Sequence, residues 1–169
     1  LGGCNHPQLK ALNISRHNLC VRKLYKSLLP TPLGNFVTFM DASSNSCLPY
    51  GVTSTRLPPW MLPHTPSDVL TRLRPDILII KGLTLSHYKS IQTRLHDPAT
   101  LSFIQSFCQI LLIEVGFTIE SAFNDCYLDK HKQHAYLYDL LTSAGWSVLS
   151  PPPSLIPLPF LPHTHVLVF

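Results

Sequence analysis

Two runs of four apolar residues, each bounded by an acid, constrain the fold of this chain more than any other feature. The first is Arg74-Pro75-Asp76 followed by Ile77-Leu78-Ile79-Ile80; the second is Ile110-Leu111-Leu112-Ile113 followed by Glu114-Val115-Gly116. Each run is too short for a helix and lacks the alternation of a strand with one wet face. Both are therefore expected to be buried strands of a covered sheet. Asp76 opens one strand and Glu114 closes the other. Antiparallel pairing, which the sequence permits without requiring, would bring both acids to one edge of the sheet. Two carboxylates meeting there repel unless a cation lies between them, and a hard divalent ion such as magnesium, bound through oxygen, is the natural one.

Helical spacing supplies the next constraint. Phe123, Tyr127, Lys130, His134, Leu137 and Leu141 follow steps of four and three, which predicts a helix over about 119–144 that ends at Gly145. Lys130 and His134 then share the face that meets the sheet. A buried, unpaired ammonium is costly, so Lys130 calls for carboxylates nearby. An earlier helix is expected over 8–29, with Leu9, Leu12, Leu19, Leu24 and Leu28 as its apolar positions and Pro30 and Pro32 closing it. Residues 30–75, rich in Pro, Ser and Thr, read as an extended surface connection without a long helix or a central strand. The stretch from Gly82 to Gln109 is too long for a hairpin turn and should hold a short helix around Thr100 to Phe107, begun after Pro98. Trp146 to Leu149 reads as a third strand, 151–162 as a proline-rich loop and His163 to Phe169 as the start of a fourth strand. The expectation is an α/β domain with a mixed central sheet flanked by helices. It divides into a basic helical segment (1–29), a connection (30–75) and the core (76–169).

Composition narrows the class. A chain of 169 residues accommodates one domain of ordinary size. Only 13% of residues are charged, about half of the usual share of roughly 25%. The longest apolar stretch, around Phe107 to Ile119, is interrupted by Gln109 and Glu114, so no membrane partner is expected. Five scattered cysteines argue against a secreted disulfide framework and for a reducing, intracellular setting. The chain begins with Leu1 and stops within an expected strand, which reads as a fragment cut at both ends from a longer polypeptide. The net charge of +4 is unevenly spread: Lys10, Arg16, Arg22, Lys23 and Lys26 fall in the first forty residues, which contain no acid. Such a segment suits contact with phosphates through Arg16, Arg22, Lys23 and Lys26; a merely solvated helix face accounts for it equally well.

Hydrolysis of a phosphodiester needs a metal to polarise the phosphate and a cationic group to orient or deprotonate the attacking water. Asp76, Glu114 and Lys130 could supply these parts. Each also has a plainer explanation: a turn after proline for Asp76, an exposed strand end for Glu114, a snorkelling side chain for Lys130, a packed core histidine for His134. Glu120 could simply favour a helix dipole. Cys4, His6, His17 and Cys20 do not match the spacing of a zinc knuckle.

Arg-Pro-Asp before a strand, the Ile-Glu-Val strand, Glu120 six residues on, and Lys130-His131-Lys132-Gln133-His134 within a helix resemble the restriction-enzyme-like endonuclease domain of non-LTR retrotransposon reverse transcriptases, a variant of the PD-(D/E)XK nuclease fold. Leu1-Gly2-Gly3-Cys4 followed by Ser15-Arg16-His17-Asn18 resembles the segment after the zinc knuckle of those proteins, with Cys4 as its last ligand; zinc would then belong to the longer parent chain. Lys130 falls in the place of the family's helix lysine and His134 where the family often has tyrosine. Gly116 stands where PD-(D/E)XK enzymes of the usual arrangement have their lysine. The resemblance implies a metal-dependent nuclease that nicks target DNA so that the new 3′ hydroxyl primes reverse transcription. Asp76, Glu114 and the Val115 carbonyl would hold magnesium or manganese, Lys130 would position water, and Glu120 and His134 would support the site. DNA would be the direct partner. Element RNA would be engaged through the parent polypeptide, which would act in the nucleus. The alternatives are a catalytically inactive nucleic-acid-binding module and a decayed remnant of an element.

Overall fold

The structure, a computed structural model, describes residues 7–41, 52–54, 56–118, 123–149, 154–157 and 165–168. Thirteen elements carry the argument: α1 (Pro7–Leu28), β1 (Phe36–Met40), β2 (Val52–Ser54), α2 (Ser67–Leu70), β3 (Ile77–Thr84), α3 (Leu85–Ile91), α4 (Pro98–Phe107), β4 (Gln109–Ile113), β5 (Val115–Thr118), α5 (Phe123–Ser143), β6 (Ser147–Leu149), β7 (Ser154–Pro157) and β8 (His165–Val168). A mixed five-stranded sheet runs in the order β2-β1-β3-β4-β6, and a three-stranded sheet runs β5-β8-β7. No helix of the described residues is long and apolar enough to cross a membrane.

The two acid-bounded runs become β3 and β4, which pair antiparallel with Ile77 opposite Ile113 and Ile80 opposite Ile110. Ile77, Leu78, Ile79 and Ile80 are all buried, because apolar layers cover both faces of the sheet. On one face Val21 and Tyr25 of α1 pack against Met40, Ile77, Ile79 and Ile113. On the other, Leu137 and Leu141 of α5 and Ile104 of α4 join Trp60, Trp146, Leu78, Ile80 and Ile110.

Local signals place the helices well. Asp97 caps α4, its Oδ2 accepting from the Thr100 N–H at 2.9 Å, and Pro98 occupies the first turn, where a missing N–H costs nothing. The same bonds hold the Asp97 carboxyl below its usual range. Gly145 ends α5 at φ +93, and the Gly145 and Trp146 N–H groups close onto the carbonyls of Thr142 and Leu141. The α5 stripe is as its spacing indicates at Leu137 and Leu141, which are 3% and 0% exposed.

Four expectations need correction. The proline-rich stretch 30–75 is not free of central strands: β1 lies between β2 and β3, and Val37, Phe39 and Met40 are buried. Its prolines flank the apolar Phe-Val-Thr-Phe-Met segment without interrupting it. Residues 154–157, expected in a loop, form β7 against β8, with Pro157 at the strand end where its missing donor is tolerated. The inward face of α1 is the leucine stripe only in part: Leu24 and Leu28 pack, partly buried, against the core. Leu12 and Leu19 are 55% and 54% exposed, while Asn18, Val21 and Tyr25 are buried at steps of three and four. Finally, the Ile-Glu-Val motif is not one strand: β4 stops at Ile113, leaving Glu114 at its end as expected, and Val115 starts β5 in the other sheet, where Gly116 lies opposite Leu167.

Candidate active site

The change of sheet at Glu114 builds the site. The β3–β4 register places Asp76 and Glu114 one residue beyond the Ile77–Ile113 pair, so both acids leave their strands at the same end of the sheet. On the far side of β3, Met40 of β1 pairs with Ile77, and the Asp41 N–H donates to the Asp76 carbonyl at 3.1 Å. Three acids therefore stand side by side at the ends of β1, β3 and β4. Asp76 and Glu114 are 6% and 3% exposed, and Asp41 is half-buried. Burial pushes the Asp41 carboxyl up; Arg74 opposes this, the Asp76 charge adds to it, and His17 opposes it.

Each buried acid is met by a histidine. The Val115 N–H donates to Asp76 Oδ2 at 2.7 Å, a charge-assisted bond created by the turn from β4 into β5. His17 Nε2, brought in by α1, lies 3.1 Å from the same Oδ2 and 3.1 Å from the Val115 carbonyl oxygen. A carbonyl oxygen only accepts, so this nitrogen carries the proton and shares it between the two oxygens. From the opposite face, His134 Nε2 of α5 lies 3.2 Å from Glu114 Oε2. A pocket of about 250 Å³ opens over the pair, lined by Arg72, Leu73, Arg74, Asp76, Glu114, His134 and Leu137.

The structure thus brings together Asp76, Glu114, Val115 and His134 among the residues singled out by sequence. Lys130 lies four residues before His134 in α5, on the same helical stripe by spacing, and its side chain lies outside what is described. Glu120 and Cys4 lie outside the described residues. Arg16 and Arg22 of α1 are partly buried, and Lys23 and Lys26 are exposed.

Sequence reasoning passed over His17, Asp41, Arg72 and Arg74 as members of this site. His17 carried a signal, since 17, 21 and 25 form a stripe in steps of four once Val21 and Tyr25 are taken as inward. Asp41 had none short of knowing that β1 pairs with β3.

Carboxylate and carbonyl oxygens suit a hard divalent cation. Among the described residues no three His, Cys, Asp or Glu side chains form a cage by themselves. An ion here would be of the kind that takes one or two carboxylates and completes its shell with water and phosphate oxygens, as magnesium commonly does. A cation coordinating both Asp76 Oδ2 and the Val115 carbonyl would also require the His17 N–H to turn away from them. No protein-family model matches the sequence, and comparison with curated proteins and with solved structures likewise produced no match.

Proposed function

We propose that this chain is a metal-dependent DNA endonuclease domain of the PD-(D/E)XK kind, acting within a retroelement reverse transcriptase to nick target DNA and expose a priming 3′ hydroxyl. One observation carries the reading. Two buried carboxylates, Asp76 and Glu114, leave adjacent antiparallel strands at one end of the sheet and line a common pocket. Burying two acids together is costly even where each has a polar partner, and a structural role alone would be filled more cheaply by apolar residues; a cation held between them would offset that cost. When bound, magnesium or manganese would polarise the scissile phosphate and lower the pKa of a bound water. Asp76, Glu114 and the Val115 carbonyl would hold it. His134, 3.2 Å from the Glu114 carboxylate, would help to orient it from α5, and Lys130, one turn earlier on that helix, would position the attacking water, with Glu120 in support.

The test is nicking of supercoiled plasmid with magnesium or manganese by the wild-type chain and by Asp76→Ala. Metal-dependent nicking lost in the variant is the expected outcome. A second reading, an inactive nucleic-acid-binding module, is favoured by His17, which occupies the Asp76 oxygen and the Val115 carbonyl. The Gly116 position points the same way. Duplex binding without nicking in either metal would decide for it.

A further inference from the structure

The pocket over Asp76 and Glu114 has two kinds of wall. Its acids lie deep, and two exposed arginines, Arg72 and Arg74, come from the turn between α2 and β3. That turn is fixed from below: the Arg72 and Leu73 N–H groups donate to the carbonyls of Val69 and Leu70, and Leu70 is buried in the core. The guanidinium of Arg72 is nevertheless little engaged. Its partner Asp68 is 3.9 Å away and the two side chains are 80% and 68% exposed, so the pair contributes little and gives way easily. Arg74 holds its Nε near the Thr71 carbonyl at 3.4 Å and acts on Asp41 electrostatically.

Exposed cations around a deep acidic floor select for a particular kind of guest. Its negative charge must be held at the mouth, because the carboxylates below repel it. A pocket of about 250 Å³ falls short of the roughly 300–1,000 Å³ that encloses a small ligand. It admits a group projecting from a longer polymer. Phosphodiester backbone meets both conditions, and guanidinium forks match phosphate oxygens in geometry.

We infer that Arg72 and Arg74 clamp the nucleic-acid backbone at the mouth of the pocket, gripping phosphates beside the one presented to Asp76 and Glu114. The inference rests on the nuclease reading for which phosphate is presented. The clamp itself is tested without cleavage.

Binding of the 169-residue chain to a labelled DNA duplex is followed by anisotropy in EDTA over a range of salt, and nicking is assayed separately. The variants are Arg72→Gln with Arg74→Gln, Arg72→Lys with Arg74→Lys, and, for comparison, Arg16, Arg22, Lys23 and Lys26 all changed to Gln. The glutamine pair should lower the log-log salt slope by about 1.8, near 0.9 for each lost phosphate contact, with unchanged thermal melting. The lysine pair should restore the slope but only part of the affinity, since it keeps the charge without the fork. An unchanged slope in the folded glutamine pair, or a wild-type chain that binds no duplex, overturns the clamp. So does a slope that falls only as the melting temperature falls, because Arg74 would then be mere counter-charge to Asp41. Nicking with an unaltered slope sinks the clamp and leaves the nuclease reading standing. A lowered slope without nicking upholds the clamp and removes that reading.

Discussion

The two faces of the five-stranded sheet each send a histidine to one of the paired acids, but by different means. From the α1 face, His17 reaches an Asp76 oxygen that a backbone group, the Val115 N–H, already holds at 2.7 Å. From the α5 face, His134 reaches Glu114 at 3.2 Å, and the same helix carries Lys130. Among the described residues the α1 face is the thinner layer, with Val21 and Tyr25 over Met40, Ile77, Ile79 and Ile113. The opposite face is deep, with Trp60, Trp146, Leu137 and Leu141 packed together and the Trp146 Nε1–H donating to the Met61 carbonyl at 2.9 Å. The difference suggests a division of labour. The strand turn positions Asp76 whatever α1 does, whereas the α5 side depends on side chains from a helix anchored in the larger core.

Stability should show the contrast most strongly. Trp60, which lies 6.1 Å from Trp146 and 6.2 Å from Tyr88 between ring centroids, belongs to the deep face. Trp60→Ala should cost about 3–5 kcal/mol by urea unfolding. Val21→Ala, at a fully buried position on the inward face of α1, removes two methyl groups and should cost only about 1.5–2 kcal/mol. Equal losses would dissolve the distinction between a deep and a thin face.

Activity should divide the same way. Lys130→Met keeps the apolar stem, so folding should survive while nicking falls by at least roughly 100-fold, as for a lost proton-transfer or electrostatic group. His17→Ala removes one bond to Asp76 and leaves the Val115 N–H in place. Because a bound cation would displace the His17 N–H from both oxygens, nicking should stay within about tenfold of wild type, the kinetic equivalent of about 1.4 kcal/mol. Both are read on protein shown to be folded by circular dichroism. Full activity in Lys130→Met would refute a lysine acting from α5, and a larger loss in His17→Ala would move the chemistry to the α1 face.

Thiol reactivity gives the mildest contrast. Cys108, 1% exposed on the deep face, has its pKa pushed up to about 11 by burial. Near pH 8 its thiolate fraction is about one part in a thousand, so it should resist iodoacetamide until the chain unfolds. Cys20, partly exposed on α1, is also raised by burial, with Lys23 and Arg16 opposing. Peptide mapping should therefore find Cys20 alkylated before Cys108. The reverse order would mean that the deep face opens before α1 lifts.

Some of this protein is legible one segment at a time. The apolar runs at 77–80 and 110–113, the stripe His134-Leu137-Leu141, the cap at Asp97 and the stop at Gly145 depend on neighbours within a turn or a strand, where spacing and side-chain chemistry suffice. From the first two, the meeting of Asp76 and Glu114 follows once antiparallel pairing is granted. The rest was settled only when segments far apart in the chain met. Phe36 to Met40 becomes a central strand because β2 and β3 flank it, a fact its surrounding prolines conceal. Asp41 joins the acids only through β1–β3 register. The inward face of α1 goes to His17, Asn18, Val21 and Tyr25, with Leu24 and Leu28 at its margin, and not to Leu12 or Leu19. The polar members of that stripe are satisfied by groups such as Asp76 and Val115, 59 and 98 residues away from His17. Hydrophobic spacing records which residues prefer to leave water; it does not record which polar residues will find a partner once they have left it.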